Sequence, residues 1–541
     1  MHRKRSRGVR RNILFITADQ WRGDCLGCVG HPVVQTPNID RLAKEGTLFT
    51  QNFANSLPCA PSRACIHTGT YQLTHRVVIN GTPLDPRLSN WATVLREETG
   101  RDPVLLGYTD TTLDPSTLAD GDPGLTTYEA VLPGLRQIVD CNDEYDTMAD
   151  WARWIEAKGY SVPKDRCRLR LDTVEEAAVA EEEVGTAAKT DAAASSPPRP
   201  LRLPAALSDT TFLVDSAIAH IEACGDTEWT MHLSLFRPHN PHIAHAPFNA
   251  MYDVGRLPPL ARAESPAAEA ARHPFLSWAL ESFPAASDDA EQRRLQASYY
   301  GLISEVDWHL GRLFDFLRAN GQWDETLVIF TSDHGEQMGD HHLRSKTGFF
   351  DESYRTPLVI RDPRPSADAR RGATLAGLTE AVDLMPTILE FAGVAPPSQC
   401  DGVSLLRCVQ SGAMPDGWRD DVLGEYTFWA DERVITEPET ERRLAEAHRV
   451  APHEASLCIL RTRRYKYVHF ASARLPPLLF DLEADPGEHT NLANDPAHAL
   501  TLAEMAGRCL TRRLRHADRT LTQTVVTHTG PVSRPMALAL G

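Results

Sequence analysis

No apolar run in the sequence approaches the roughly 18 residues that a membrane-spanning helix needs. Basic residues are in the minority, because 56 Lys and Arg stand against 73 Asp and Glu and leave a formal net charge of −17. This deficit argues against a general binder of nucleic acid or of an anionic membrane, whose surface would be basic. Eleven cysteines in 541 residues are also too few for a disulfide framework. We therefore expect a cytoplasmic protein with reduced thiols.

Two features near the N-terminus agree with this expectation. Residues 1–10 form a basic segment, but the apolar stretch after it ends at Asp19 and is too short for the core of a signal peptide. Cys25 and Cys28 form a CxxC pair that lacks a second CxxC or a histidine pair at metal-binding spacing. We interpret both cysteines as structural thiols.

Short apolar runs alternate with amphipathic segments along most of the chain. Four runs are typical of buried strands: 12–18, 102–107, 229–236 and 326–331. Three longer segments have the apolar spacing of helices: 36–46, 211–224 and 291–320. This alternation predicts an α/β fold with a large, mostly parallel sheet sandwiched by helices. Two later runs, 458–470 and 478–482, predict a smaller C-terminal antiparallel sheet unit.

Composition divides the chain after the basic segment. We predict a large α/β domain at 11–405, interrupted at about 175–205 by an insertion rich in Ala, Glu, Ser and Pro. Residues 406–515 are predicted to form a smaller α+β subdomain. The tail at 516–541 is interpreted either as an arm for homo-oligomer formation or as a disordered terminus.

Polar residues that suit a hard cation follow two of the predicted core strands. Asp19 comes after the first strand, and Asp333 and His334 come after the run at 326–331. The carboxyl ends of parallel strands are where such sheets bind ligands. Carboxylates with one imidazole suit Ca²⁺, Mg²⁺ or Mn²⁺ better than a thiolate zinc site does. A single Asp after a strand is more often a capping residue, so the metal interpretation depends on the motif described next.

Residues 59–70 read CAPSRACIHTGT and are the most informative stretch of the chain. Pro61 suits the first turn of a helix and predicts that Cys59 lies at a helix N-terminus, where a negative oxygen is favoured. Arg63 lies one helical turn later and can hold a nucleophile or the metal ligands by charge-assisted hydrogen bonds.

The 59–70 stretch resembles the signature of type I sulfatases of the alkaline phosphatase superfamily. Four further stretches resemble the same family, in family order: 13–20, 36–46, 332–336 and 479–488. The resemblance implies an alkaline phosphatase-like fold. It also implies that a maturation enzyme oxidises Cys59 to formylglycine, whose hydrate attacks a sulfur or phosphorus centre and forms a covalent intermediate. The second hydroxyl of the hydrate would then expel the sulfate or phosphoryl group.

Within that family the chain is most similar to the phosphonate monoester hydrolase and arylsulfatase branch. The residues that carry this likeness are Gln20 after Asp19, Asn80, Tyr108, His239 and Lys346 with their neighbours. By this resemblance one divalent metal ion, Mn²⁺, Ca²⁺ or Mg²⁺, is surrounded by Asp19, Gln20, Cys59, Asp333 and His334. The residues implied to line the substrate are Asn80, Tyr108, His239 and Lys346.

Two of these assignments have competitors nearby. Thr109 or Asp110 could line the substrate in place of Tyr108. From spacing alone, three other histidines compete with His239 for the role of proton carrier: His232, His242 and His245.

The expected function is metal-dependent hydrolysis of sulfate esters, phosphonate monoesters or phosphodiesters. Asn80 stands where arylsulfatases tend to carry a cation, which favours monoanionic phosphonate monoesters and phosphodiesters over a strict sulfate specialist. Two alternatives were considered. A phosphatase of the same superfamily would need an encoded Ser or Thr at position 59. A non-catalytic anion-binding scaffold would retain an unmodified Cys59.

Overall fold

The structure is a computed structural model that describes residues 11–141, 148–174, 197–428, 450–517 and 524–533. The basic segment at 1–10 and most of the predicted insertion, residues 175–196, lie outside the described residues. The same holds for 518–523 and 534–541 of the predicted tail.

A nine-stranded sheet forms the centre of the molecule. Across the sheet its strands are β10 (Thr379–Glu380), β2 (Thr47–Phe53), β8 (Arg355–Arg361), β7 (Thr326–Thr331), β1 (Asn12–Ala18), β6 (Thr230–Leu235), β4 (Val104–Leu106) and β5 (Arg136–Val139), and β9 (Ala373–Leu375) also pairs with β2. Strand β8 runs antiparallel to both of its neighbours, and every other pairing in this sheet is parallel. The predicted mostly parallel sheet is confirmed.

Strand β1 lies between β6 and β7 and buries all seven of its residues. Ala18 pairs with Leu235, and Thr17 pairs with Thr331, so the three strands end nearly in step. The polar residues that follow these strands therefore meet at one edge of the sheet, as in other parallel sheets.

Helices cover both faces of the sheet. In chain order they are α1 (Pro37–Glu45), α2 (Cys59–Thr68), α3 (Gln72–His75), α4 (Trp91–Thr99), α5 (Ala149–Ala157), α6 (Asp209–Cys224), α7 (Pro266–Ala270), α8 (Pro274–Ser282), α9 (Asp289–Ala319), α10 (Asp351–Tyr354), α11 (Leu384–Ala392), α12 (Leu406–Ser411) and α13 (Ala499–Arg515). Because side chains alternate along β1, Leu14 and Ile16 pack with α1, α6 and α9, whereas Ile13 and Phe15 pack with α2, α4 and α11. In the described ranges, no helix is long and apolar enough to cross a bilayer.

A second sheet packs beside the first. Its strand order is β14 (Leu478–Asp481), β13 (Tyr465–Phe470), β12 (Ser456–Thr462), β11 (Asp421–Thr427) and β3 (Ser56–Leu57). The four later strands pair antiparallel, which confirms the smaller antiparallel unit. Two of its strands, β11 and β3, were not predicted. Strand β3 pairs parallel with β11 and ends two residues before Cys59, so the small sheet also supports the loop that carries this cysteine.

The predicted tail contains one described element beyond α13. Strands β15 (Thr524–Thr527) and β16 (Gly530–Ser533) form an antiparallel hairpin. Val526 of this hairpin is exposed, as are Leu510 and Leu514 on α13.

Candidate active site

Cys59 is the first residue of α2 and is buried. Pro61 occupies the first turn, where its missing N–H costs no helical hydrogen bond. The backbone N–H of Ala60 donates to Oδ1 of Asn80 at 3.0 Å. Asn80 therefore fixes the start of the helix directly beside Cys59.

Four buried side chains meet at the edge of the sheet above β1 and β7. Asp19, Cys59, Asp333 and His334 each offer a ligand atom, and these atoms lie within 4.8 Å of one another. The Sγ of Cys59 is 3.1 Å from Nε2 of His334. Three separate segments of the chain, with 40 positions from Asp19 to Cys59 and 274 from Cys59 to Asp333, thus form one compact group.

The chemistry of this group fits a hard divalent cation. Oδ1 of Asp19 is buried and has no hydrogen-bond partner, although a buried carboxylate oxygen normally has one. Two carboxylates and one imidazole supply the oxygen and nitrogen ligands that Ca²⁺, Mg²⁺ and Mn²⁺ accept. The four residues could hold one such ion.

Gln20 lies against the same group with its side chain held at both ends. Its Nε2 donates to Oε2 of Glu336, and its Oε1 accepts from Nζ of Lys346 at 2.9 Å. The residue has a φ of 68°, a left-handed conformation that costs energy for a side chain with a Cβ. These contacts aim the amide oxygen toward Lys346.

Arg63 lies at the centre of a buried ion-pair network. Its Nε donates to Oδ2 of Asp333, and its Nη2 donates to Oδ2 of Asp19, each at 2.9 Å. Its Nη1 donates to Oγ of Ser234, also at 2.9 Å. Asp110 forms a third ion pair with Nε at 2.9 Å. One guanidinium therefore orients both carboxylates of the candidate metal site.

Tyr108, Thr109 and Asp110 have different environments. Tyr108 donates from its hydroxyl to Oδ2 of Asp19 at 2.6 Å, and Arg63 lies 4.4 Å above the centre of its ring. Oγ1 of Thr109 donates to the carbonyl of Ala130, so this hydroxyl braces a neighbouring loop. Tyr108 and Asp110 both reach the site, and Thr109 does not.

The four candidate histidines are separated clearly by their contacts. Nε2 of His239 is 2.9 Å from Nζ of Lys346, and its Nδ1 is 2.7 Å from the carbonyl of Asn240. Since an ammonium only donates, Nε2 accepts from Lys346 and Nδ1 carries the proton. The other three have these main partners: His232 stacks on Phe15, His245 pairs with Glu305, and His242 faces Glu336 at 3.9 Å.

Burial and neighbouring charges shift the titration of the site. Burial, with the Asp19 carboxylate second, raises the pKa of the Cys59 thiol well above its usual value. Burial disfavours the charged form of Lys346, but Cys59 and Asp19 outweigh it and raise the pKa of this ammonium. Burial would also raise the pKa of Asp19, yet Arg63 and His334 hold it below the usual value. Burial, with Lys346 second, lowers the pKa of His239.

A small cavity of about 10 Å³ lies along the face of α2 that carries Ala60 and Ala64. Its walls are mostly apolar, and Asp110 contributes a carboxyl to them. Burial raises the pKa of Asp110 to about 7, against the opposing effect of Arg63.

A second group of metal-ligating side chains lies away from this site. Glu269, His341 and His489 place ligand atoms within 4.8 Å of one another. Nη1 of Arg272 already donates to Oε1 of Glu269 at 2.7 Å and contacts Nδ1 of His489 at 2.8 Å. The guanidinium is thus the resident cation of this group.

Sequence reasoning missed two residues of the site, Ser234 and Glu336. It named Asp110 only as an alternative to Tyr108 and missed its ion pair with Arg63. Ser234 lies within the predicted strand at 229–236, and Glu336 follows the predicted strand at 326–331. Many residues without a function share such positions, so this signal is weak. Gly335 offers a clearer clue, because a Cβ there would overlap the carbonyl oxygen of Glu352. This close approach draws the segment after β7 against its neighbour.

The fold and the site together define a hydrolase of alkaline phosphatase-like architecture. The sulfatase family model matches residues 11–394, and the model for the C-terminal part of N-sulphoglucosamine sulphohydrolase matches residues 339–515. The chain belongs to the sulfatase family. The predicted family, fold class and hydrolase class are thereby confirmed.

Individual relatives and one solved structure match nearly the whole chain. The multifunctional alkaline phosphatase superfamily protein PehA of Trinickia caryophylli is 39% identical over 531 residues, which cover 95% of this chain and 97% of that protein. An arylsulfatase of Clostridium perfringens is 26% identical, covering 89% of this chain and 90% of that one. The crystal structure of the phosphonate monoester hydrolase of Agrobacterium radiobacter matches with a TM-score of 0.84 and 39% identity, covering 97% of this chain and 100% of that one.

Proposed function

We propose that this protein is a formylglycine-dependent, metal-assisted hydrolase of phosphonate monoesters, phosphodiesters and sulfate esters. The observation that carries the proposal is the position of Cys59. It begins a buried helix, and its Sγ lies 3.1 Å from His334 within a group of metal-ligating side chains. The similarity to phosphonate monoester hydrolases and arylsulfatases along nearly the whole chain supports this reaction class.

A divalent cation and a formylglycine at position 59 would supply the central chemistry. Asp19, Gln20, Asp333 and His334 would hold one divalent cation, Mn²⁺, Ca²⁺ or Mg²⁺, which would stabilise negative charge as a Lewis acid. Conversion of Cys59 to formylglycine by a maturation enzyme would provide a hydrated aldehyde, with one hydroxyl to attack and a second to release the product.

The encoded side chains position and neutralise the reactants. Arg63 holds Asp19 and Asp333 in place, because it donates to an oxygen of each. Lys346 would neutralise a non-bridging oxygen of the substrate, since its Nζ already bridges Gln20 and His239 at the same edge. Nε2 of His239, which accepts a hydrogen bond from Lys346 and carries no proton, would first take up a proton and then pass it to the leaving oxygen.

The substrate is expected to be a small ester with a single negative charge. The protein carries an overall excess of acidic residues, so local cations must attract an anionic substrate. Arg63 is hydrogen-bonded to carboxylates, whereas Lys346 donates to the neutral side chain of Gln20. Lys346 is therefore the cation that can attract the substrate. Asn80 adds no charge and is engaged with the backbone of α2. This arrangement favours phosphonate monoesters and phosphodiesters over doubly charged phosphate monoesters.

The exposed apolar side chains of α13 and the hairpin support assembly of several copies. Leu510, Leu514 and Val526 lie on the part of the chain that follows the small sheet. We propose that these residues contribute to a homo-oligomer, which light scattering of purified protein would detect as a mass above 60.0 kDa.

Replacement of Cys59 tests the mechanism directly. Cys59→Ala should abolish turnover of aryl sulfate, phenyl phosphonate and phosphodiester substrates alike, because each needs the same nucleophile. The folded protein should keep its circular dichroism spectrum and apparent melting temperature within a few degrees.

Cys65→Ala is the matched control. Cys65 is buried in the same helix, but its Sγ contacts His75 at 3.2 Å instead of the metal-ligating group. This variant should retain turnover. Equal activity of the two variants would contradict the proposal, as would full activity of Cys59→Ala.

A further inference from the structure

Two buried cysteines outside the active site face each other between the small sheet and helix α13. Cys458 lies on β12 and Cys509 on α13. Their Sγ atoms are 3.4 Å apart, and each residue is less than 5% exposed. A disulfide has an S–S bond of about 2.0 Å, so the two sulfurs need to approach by only about 1.4 Å.

The surroundings hold the two sulfurs in this arrangement. Helix α13 is tied to β11 by three arginines: Arg508 and Arg512 pair with Asp421, and Arg513 pairs with Glu425 at 2.8 Å. Glu425 lies opposite Cys458 in the register of β11 and β12. The ion pairs thus fix the helix directly over the strand that carries Cys458.

A cation also lies close to both sulfurs. The Arg513 guanidinium interacts with Cys458 and, more weakly, with Cys509. The hydrogen bond from Cys458 lowers the pKa of Cys509, and Arg513 adds to this effect, whereas the same bond and burial raise the pKa of Cys458. Cys509 is therefore the thiol that more readily forms the reactive thiolate, and the pair combines proximity, fixed geometry and one activated sulfur.

We propose that Cys458 and Cys509 form a reversible disulfide when the protein meets a peroxide. One thiolate attacks the O–O bond and becomes a sulfenic acid, while the other peroxide oxygen leaves as water after taking up a proton. The second thiol then attacks this sulfur, the S–S bond forms, and the sulfenic oxygen leaves as a second water. Two thiols are oxidised by two electrons, and one peroxide is reduced. A dithiol reductant restores both thiols.

The disulfide would fasten the C-terminal helix to the sheet that supports the active-site loop. Strand β12 pairs with β11, and β11 pairs with β3, which ends two residues before Cys59. Closing the loop between Cys458 and Cys509 restricts the unfolded chain and stabilises the folded one. The oxidised protein should keep its activity for longer on heating.

Peptide mass spectrometry of the purified full-length protein gives the direct test. Cleavage at Arg places Cys458 alone in peptide 450–461 and Cys509 alone in peptide 509–512. After treatment with hydrogen peroxide and blocking of free thiols, we expect these two peptides joined and lighter by two hydrogens. Dithiothreitol should separate them. The apparent melting temperature should rise by roughly 2–5 °C in the oxidised protein.

Variants separate this disulfide from general oxidation. Cys458→Ser and Cys509→Ser should each lose the joined peptide and the rise in melting temperature. Cys408→Ser, a buried cysteine of α12, should keep both. The proposal is overturned if the wild-type protein shows only singly oxidised or blocked forms of the two cysteines. It is equally overturned if the joined peptide forms without any rise in melting temperature.

Discussion

Two buried groups of arginines and carboxylates in this protein differ in how completely their oxygens are partnered. The first, the nucleophile cluster, consists of Arg63 with Asp19, Asp110 and Asp333 beside Cys59. The second, the inter-sheet cluster, lies between the two sheets and consists of Arg419 and Arg512 with Glu380 and Asp383. Both pair arginine with buried carboxylates, although Arg419 and Arg512 are less deeply buried than Arg63.

In the inter-sheet cluster every carboxylate oxygen has a hydrogen-bond partner. Arg419 donates to both oxygens of Asp383, at 2.6 and 2.7 Å. Glu380 accepts from Asn55 and the Leu423 N–H at one oxygen, and from the Tyr71 hydroxyl at the other. Two cations face two anions, and each of the four carboxylate oxygens has a partner.

The nucleophile cluster is incomplete by the same measure. Three carboxylates surround one guanidinium, Oδ1 of Asp19 has no hydrogen-bond partner, and Oδ2 of Asp110 has only an ion pair. Buried charge without full compensation is costly, so such an arrangement points to a role other than stability. The comparison teaches that the missing positive charge, which a divalent cation would supply, marks the functional cluster.

The largest effect is expected from removing one charge of the nucleophile cluster. Asp333→Asn should lower kcat/KM by roughly 10³-fold or more, because a metal ligand and a partner of Arg63 are both weakened. Bound divalent metal, measured by elemental analysis after dialysis, should fall in parallel. Asp383→Asn makes the same change in the inter-sheet cluster and should leave metal content and the kcat of folded enzyme unchanged. Normal metal content in Asp333→Asn would remove Asp333 from the ligands.

Breaking the inter-sheet cluster should instead affect stability. Arg419→Met leaves Glu380 and Asp383 buried without their main cation and should cost about 3–5 kcal/mol in the free energy of unfolding. Arg464→Met is the control, because the exposed Arg464 pairs with Asp481 where water screens the charge, and this variant should unfold at nearly the wild-type urea concentration. Urea unfolding measures both values. A loss of kcat in folded Arg419→Met would contradict the separation of the two clusters.

A cation of the active-site edge should matter for rate but little for folding. Lys346→Met should reduce kcat by roughly 10²-fold, since it removes the charge that faces the substrate oxygen. Arg344→Met removes an exposed cation from the same loop and should retain at least half of the rate. Similar kinetics for the two variants would show that Lys346 contributes only to the overall electrostatic field and does not face the substrate oxygen.

The smallest expected effect is the loss of one ion-pair contribution to stability at acidic pH. Burial would raise the pKa of Glu380, but Arg419 and Arg512 lower it below the ordinary 4.5. Its ionised form therefore stabilises the fold above pH 4.5, and this contribution is lost as the pH falls through the lowered value. Glu380→Gln should melt below the wild type at pH 7, with a difference that shrinks as the pH falls below 4.5. A gap that stays constant from pH 7 to 3.5 would contradict this.

The fold could be predicted wherever its signal is local. Strands β1 and β7 were predicted residue for residue, because each is a short run dominated by large apolar residues. The start of α2 followed from Pro61, and the meeting of Asp19 with Asp333 followed from the shared edge of parallel strands.

The rest depends on contacts between distant segments. Strand β3 has only two residues and no periodic pattern, so its pairing with β11 left no trace in the sequence. Spacing could not choose among the four histidines, since the choice depends on which one reaches Lys346. The ion pair between Asp110 and Arg63 likewise arises only when β4 is placed beside β6.

The side chain at position 59 is the most direct test of the account. Protein produced with a formylglycine-generating enzyme should be digested, and the peptide that contains Cys59 analysed by mass spectrometry alongside the specific activity of each preparation. The account predicts that activity rises in proportion to the fraction of peptide that carries the aldehyde. A fully active preparation in which this peptide retains an unmodified thiol would contradict it.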